Sequence, residues 1–323
     1  MRIGRAAGVT DTGRRRLRNE DAFVCEPPLF AVTDGMGGAR AGQLAAELAA
    51  TALEEGASAI DGVDALVHTV EEANRRIWER SVSDPETTGM GAVATVALVR
   101  DGTVAIGHVG DSRAYLIRGG AIEQLTRDHS LVAELVESGV LTPEEAEHHP
   151  QRSAITRALG TEPAVEVDVR TVAGEPGDVF LLCSDGLSSM VPDDEVVARV
   201  EATGRDPERA AEALVAAANA RGGEDNITVV IFELVGDAEA AEEEEPPPPE
   251  DTQPDLASSD GSPDEPVQDG AEPQPQPPAV DTVAAPVDTT HHGAGAGGRI
   301  AAIALLAALL VLAVLALYAG ITR

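Results

Sequence analysis

The sequence predicts an α+β fold in which mainly antiparallel sheets stack face to face with helices outside. Two observations carry this. The first is element order: the earliest strand-like runs come with no helix between them, two helical periods arrive together, and more strands follow. That order does not fit a regular βαβ winding. The second is turn chemistry: Arg100-Asp101-Gly102 and Arg118-Gly119-Gly120 separate apolar runs at hairpin spacing.

Strands are expected over residues 29–33, 93–100, 103–109, 114–118, 178–183 and 226–234. Each is short, rich in Val, Ile, Leu or Phe, and bounded by Gly or Asp. Helical periods cover 41–55, 63–81, 130–138, 193–201 and 207–220. Thr142-Pro143-Glu144-Glu145 reads as a helix start, with an N-cap, a proline at the first helical position and acidic first-turn residues.

Composition divides the chain. The domain predicted over 1–236 has mixed globular composition. Residues 237–298 carry 16 carboxylates, no Lys or Arg and no aromatic residue. Such a stretch cannot bury enough apolar surface to offset its ordering entropy, so a disordered acidic, Pro-rich linker is expected. As a coil its 62 residues would span roughly 45 Å. Residues 299–321 follow, holding the uncharged run IAAIALLAALLVLAVLALYAGI. At about 1.5 Å per residue, that run makes a helix of roughly 33 Å, long enough for a hydrocarbon core. A single-pass tail anchor in the cell membrane is expected. The N-terminus lacks the apolar segment of a secretory signal. Arg299 and Arg323 flank both ends of the span, so the cytoplasmic placement of the first domain rests on that missing signal and on the cost of exporting a folded domain.

Acidic residues outnumber basic ones by 56 to 23, for a formal charge of −33. A chain so acidic lacks the basic footprint of general nucleic-acid binding, so nucleic acid is not an expected partner. Cys25 and Cys183 stand in apolar strand-like runs and read as two buried thiols. Zinc would call for closely spaced His and Cys, and the seven histidines fall in no such pattern.

Four aspartates share one context. Asp34 follows an apolar strand and precedes Gly35-Met36-Gly37-Gly38; Asp185 follows another and precedes Gly186. Asp111 follows Val109-Gly110, and Asp225 follows Gly222-Gly223-Glu224 and opens the last strand. A carboxylate beside Gly at the mouth of a buried strand points oxygens into a cleft. Adjacent Glu20 and Asp21 add to the set. If these acids converge they need cations, since clustered like charges raise one another's pKa values. All-oxygen ligation suits Mg²⁺ or Mn²⁺.

These residues also sit in a recognisable series. In order it runs Arg16-x-x-x-Glu20-Asp21, Val32-Thr33-Asp34-Gly35-Met36-Gly37-Gly38, Gly89-Met90-Gly91 and Gly110-Asp111-Ser112-Arg113. His149-Pro150, Arg157-Ala158-Leu159-Gly160, Ser184-Asp185-Gly186-Leu187 and Gly222-Gly223-Glu224-Asp225-Asn226 complete it. Over nearly all of residues 5–235 the chain resembles the metal-dependent protein phosphatases of the protein phosphatase 2C family, especially bacterial members. The resemblance implies a four-layer α-β-β-α sandwich with two central, mainly antiparallel sheets, and a metal cleft at one edge. It implies that Asp34 bridges two Mn²⁺ or Mg²⁺ ions and the water they activate. Gly35 would bind one ion through its carbonyl, Asp185 and Asp225 would hold the other, and Glu20 and Asp21 would act through water. A third, weaker metal would take Asp111 with Asp185, and Arg16 would grip the substrate phosphate. With water as nucleophile, no phosphoenzyme is expected.

Two departures stand out. Met36 replaces the histidine that eukaryotic relatives often use as a proposed acid, so the leaving oxygen would take its proton from another group, such as a metal-bound water. Ala92-Val93 replaces a common Thr-Thr and reads as a packing difference within strand core. The resemblance implies hydrolysis of phosphoserine and phosphothreonine in proteins, opposing membrane-bound serine/threonine kinases. Two other readings compete: a phosphatase-fold protein that binds phosphoproteins without turnover, and a stress-pathway phosphatase acting on anti-anti-sigma factors. The complete ligand set argues against the first. The lack of a sensor domain ahead of the catalytic motifs argues against the second.

Overall fold

The structure, a computed structural model, describes residues 1–38 and 40–236. The linker and membrane span expected beyond residue 236 lie outside the described residues. Among those described, no helix is long and apolar enough to cross a membrane.

Strands β1 (Arg2–Asp11), β2 (Asp21–Glu26) and β3 (Leu29–Met36) open the chain. Helices α1 (Ala41–Ala57) and α2 (Val63–Ser83) come next, then β4 (Gly91–Arg100), β5 (Thr103–Val109), β6 (Arg113–Arg118) and β7 (Ala121–Gln124). Two short helices, α3 (Leu131–Glu137) and α4 (Pro143–Glu147), precede β8 (Asp168–Ala173) and β9 (Val179–Cys183). The domain ends with α5 (Asp185–Ser188), α6 (Asp193–Ala202), α7 (Pro207–Ala220) and β10 (Ile227–Val235).

The strands form two five-stranded sheets, β1-β10-β9-β6-β7 and β2-β3-β4-β5-β8. Every pairing between them is antiparallel. Both predicted hairpin turns are present. Asp101 and Gly102 (φ 51° and 74°) join β4 to β5, and Gly119 and Gly120 (φ 59° and 80°) join β6 to β7. Two consecutive left-handed residues give the turn twist that matches paired strands.

Alternation along the strands sorts the core into three layers of side chains. One face of the second sheet packs on α1 and α2 through Leu29, Ala31, Val96 and Leu98 against Ala45, Ala49, Leu53 and Ile77. The outer face of the first sheet packs on α6 and α7 through Val229, Ile231 and Leu181 against Val200, Leu214 and Ala218. Between the sheets lie Phe30, Val32, Ile106, Phe180, Leu182, Val230 and Phe232. Their centre is a stack in which Phe232 lies 4.1 Å from Phe30 and 5.1 Å from Phe180. With only four Phe in the chain, three of them carry the sheet-to-sheet contact.

Cys183 is buried in β9, whereas Cys25 in β2 is only half-buried, and both are free thiols. The expectation of two buried thiols therefore holds for one: the Cys25 side chain stands at the edge of its sheet, where β2 has a single neighbour.

The stack yields a stability test. Phe232→Ala is expected to lower unfolding free energy by about 3–5 kcal/mol, and Phe232→Leu by much less, in urea denaturation. A loss under 1 kcal/mol for the alanine variant would contradict the assignment of Phe232 as the bridge between the sheets.

Candidate active site

A cleft of about 560 Å³ opens where the strand ends and loops carrying the predicted acids meet. Its walls include Glu20, Asp34, Gly35, Asp111, Asp185 and Asp225, with Arg16 at the rim. The four aspartates arrive on four different elements. Asp34 lies inside β3, which continues through Asp34 and Gly35 to Met36 by pairing with β4, three residues further than the sequence suggested. Asp111 occupies the β5–β6 turn after Gly110, whose φ of 115° suits glycine. Asp185 is the first residue of α5, and Asp225 precedes β10.

Close approach explains two glycines. A Cβ on Gly35 would stand 1.9 Å from the Gly42 carbonyl oxygen, and one on Gly42 would stand 2.0 Å from Glu20 Oε2. With hydrogen at both positions, the first turn of α1 presses onto β3 and the Glu20 carboxylate lies over the junction. The Gly35 N–H also donates to the Glu20 carbonyl at 3.0 Å.

Residues to which the sequence reading gave no role hold the acids in place. Asp21 pairs with Asp34 in the β2–β3 register, and its Oδ2 accepts from Ser184 Oγ (2.9 Å) and Thr228 Oγ1 (2.6 Å) of the opposite sheet. Buried Asn226 donates from Nδ2 to the carbonyls of Thr12 and Arg18, both at 2.9 Å, while its Oδ1 accepts from the Glu20 N–H at 2.8 Å. One side chain thus closes the loop that carries Arg16 and Glu20. Asp111 is framed by His129: the Gly110 N–H donates to His129 Nδ1 (3.0 Å) and the His129 N–H donates to the Gly110 carbonyl (2.7 Å). The accepting Nδ1 puts the ring proton on Nε2, which faces Asp168 at 3.2 Å. Burial lowers the His129 pKa and so favours this neutral ring. Arg113 forks onto Asp128 at 3.0 and 2.8 Å, fixing the neighbouring residue. Asn226 lies within one of the motifs, but nothing in its spacing tells that it ties three backbone positions of the β1–β2 loop.

The electrostatics are those of crowded anions. Burial, then mutual repulsion, pushes the acids up: Asp34 and Asp185 stand well above the usual carboxylate range, each repelled by Asp111, Asp225 and Asp21. Asp21 and Asp111 are pushed up to about 6, again by burial first and then by neighbouring aspartates. Asp21 Oδ1 and Asp185 Oδ1 are buried without a hydrogen-bond partner. Buried anionic oxygens without donors are costly unless a cation meets them.

The donor set fits hard divalent cations. All the groups are oxygen, and no trio of His, Cys, Asp or Glu among the described residues is drawn in around a single point. An ion here would take one or two carboxylates and complete its shell with a backbone carbonyl and water, the habit of Mg²⁺ and Mn²⁺. Arg16 Nη2 meets Asp225 Oδ2 at 2.5 Å while the side chain stays half exposed. Burial is the largest single influence and works against its charge, but Asp225, Glu20 and Asp34 together outweigh it and hold the guanidinium charged. Met36 and Val93 line the cleft, and Val93 packs over Gly110, so the Ala92-Val93 departure is accommodated as packing. His148 and His149 lie at and just after the end of α4, away from the acids lining the cleft.

The pattern of the protein phosphatase 2C family matches residues 16–135 and 150–227. The serine/threonine phosphatase stp of Listeria monocytogenes is 40% identical over 236 residues, covering 69% of this chain and 93% of that protein. The crystal structure of the Mycobacterium tuberculosis serine/threonine phosphatase PstP/Ppp superposes with a TM-score of 0.69 at 37% identity, over 72% of this chain and 100% of that one. A PstP catalytic domain in complex with two manganese ions superposes with a TM-score of 0.67 at 34% identity, over 72% and 99% of the two chains. The family pattern, the sequence identity and the superposition agree: the chain belongs to the protein phosphatase 2C family.

Proposed function

We propose that this protein hydrolyses phosphoserine and phosphothreonine in proteins, using two Mn²⁺ or Mg²⁺ ions and a third, weaker site. The observation that carries this reading is the convergence of half-buried, mutually repelling aspartates, with buried unpartnered oxygens, beside an exposed arginine. Asp34, the Gly35 carbonyl, Asp185 and Asp225 would hold the two ions. Asp111 with Asp185 would serve the third, and Glu20 and Asp21 would act through water. Bound there, the ions would acidify water and offset phosphoryl charge.

The chain's own residues supply the rest. Arg16 carries a planar fork with one arm on Asp225, leaving N–H groups for two phosphate oxygens. Asp225 thereby aims the guanidinium into the cleft. Ser184 and Thr228 fix Asp21 against rotation, and Asn226 keeps the Arg16 loop and Glu20 in register. In the overall reaction water forms a new P–O bond, the bond from phosphorus to the Ser or Thr oxygen breaks, and that oxygen gains a proton. Met36 carries no proton to give, so this side chain is not the donor.

We extend the proposal to location. The acidic stretch 237–298 would be a flexible arm and residues 299–321 a membrane span, with the catalytic domain on the cytoplasmic side. Such a tether raises the effective concentration of membrane-bound phosphoproteins, serine/threonine kinases among them, without any new contact.

Two measurements test the reading. Phosphate release from a phosphothreonine peptide is expected with Mn²⁺ and not in chelator. Arg16→Ala is expected to lower kcat/KM by about 10²-fold while Mn²⁺ affinity stays within a few-fold. Full turnover after metal stripping would contradict the metal assignment, and unchanged efficiency in the variant would remove Arg16 from the site. Separately, a chain ending at residue 236 is expected to match the full chain on soluble peptides, to leave the membrane fraction, and to lag on a membrane-embedded phosphoprotein. Continued sedimentation with membranes would contradict the anchor.

A further inference from the structure

The loop between β1 and β2 carries Arg14, Arg15, Arg16 and Arg18 around Leu17. Its backbone is fixed from several directions. Asn226 holds the carbonyls of Thr12 and Arg18, and the Gly223 carbonyl accepts from the Arg14 and Arg15 N–H groups at 2.7 and 3.2 Å. Gly13, with φ of 79°, sits where a Cβ would lie 2.1 Å from the Asp225 carbonyl oxygen. The loop is therefore seated directly on the segment that bears Asp225, and Arg15, Leu17 and Arg18 line the same cleft as the aspartates.

The charges on this loop are left unopposed. Arg16 pairs with Asp225, but Arg14, Arg15 and Arg18 are exposed and enter no ion pair among the described residues. Elsewhere the same side chain is paired as a rule: on α2, Arg75, Arg76 and Arg80 each meet a carboxylate. The chain carries 56 acidic residues, so carboxylates are not scarce. At the cleft mouth none has been set against these arginines. Leu17 among them is 99% exposed, the most exposed large apolar side chain of the described residues. A rigid loop with free guanidinium groups and one bare apolar side chain, at the entrance to a phosphate site, has the form of a recognition surface.

We propose that this arginine loop selects the sequence around the phosphorylated residue, favouring phosphoserine or phosphothreonine flanked by Asp or Glu, with Leu17 covering an apolar neighbour. The inference rests on the phosphatase reading of the cleft. The free cations attract acidic flanks during encounter and pair with them once the phosphate reaches Arg16. An acidic protein would otherwise repel such substrates, so a local cationic mouth decides which ones approach. Exposed pairs of this kind are individually weak and screened by salt, which sets both the size and the signature of the effect.

The test uses the full chain with Mn²⁺ and three phosphothreonine peptides, flanked by Glu, Ala or Lys, with p-nitrophenyl phosphate as a substrate without flanks. At low salt the Glu peptide is expected to exceed the Lys peptide in kcat/KM by about tenfold, with the ratio moving towards one in 0.5 M salt. Arg15→Glu/Arg18→Glu is expected to invert the ratio. The wild-type comparison decides the matter even if that variant does not fold. Equal efficiencies on Glu and Lys peptides, with p-nitrophenyl phosphate still turned over, would overturn the selection while leaving the phosphatase reading intact. The same equality, together with loop-dependent binding to phosphatidylserine vesicles, would assign the arginines to a lipid surface instead. Absence of turnover on all four substrates would sink the phosphatase reading itself.

Discussion

Four aspartates lining one cleft, with a fifth, Asp21, paired beside Asp34, are the constraint on which the rest of this structure depends. Asp34, Asp185, Asp111 and Asp21 are half-buried, and burial first, then repulsion by neighbouring aspartates, Asp225 among them, raises the pKa values of these four. Left to themselves such groups would protonate or move apart. They are held by a fold that takes each from a different element and by neighbours that leave it little freedom. The acids belong to both sheets and their connecting turns, so the sandwich must be assembled before the site exists.

That dependence explains the placing of the polar side chains around the cleft. Ser184 and Thr228 reach across from one sheet to Asp21 on the other, and Asn226 ties the β1–β2 loop to the start of β10. His129 braces the turn that carries Asp111. None of these groups adds charge to the site. Each satisfies backbone or carboxylate partners that would otherwise let an anion swing away, which is how a preorganised site keeps its geometry against internal repulsion.

Much of this was legible in the sequence, and the rest was hidden for physical reasons. Strands such as β4 and β5 announce themselves through Val-rich runs and a left-handed turn pair between them. Strand β1, RIGRAAGVTD, is rich in Gly, Ala and Arg and owes its conformation to pairing with β10. Strands β7 and β8 are a four-residue hairpin arm and a mostly exposed edge, with too little periodicity to read alone. The acids were visible because aspartate beside glycine after an apolar run is a local pattern. The roles of Asn226, Ser184, Thr228 and His129 depend on segments up to 214 residues apart, and no local pattern carries them. The loop arginines could be counted from the sequence, but their freedom from partners could not.

The central claim is that the aspartates repel one another in the folded chain until cations meet them. It is tested most directly by thermal unfolding of metal-stripped protein between pH 4 and 8, wild type beside Asp34→Asn. A carboxyl whose folded pKa lies above its unfolded value of about 4 binds more protons in the folded state, so its contribution to stability falls as pH rises through that window. Buried His108, pushed down to about 4 chiefly by burial, works in the opposite sense, so the difference between the two proteins is the quantity to read. The account predicts that Asp34→Asn melts a few degrees above wild type at pH 7.5 without metal. It also predicts that the gap closes by pH 4, and that Mn²⁺ stabilises wild type far more than the variant. A variant no more stable than wild type at pH 7.5, with equal Mn²⁺ shifts in both, would contradict it.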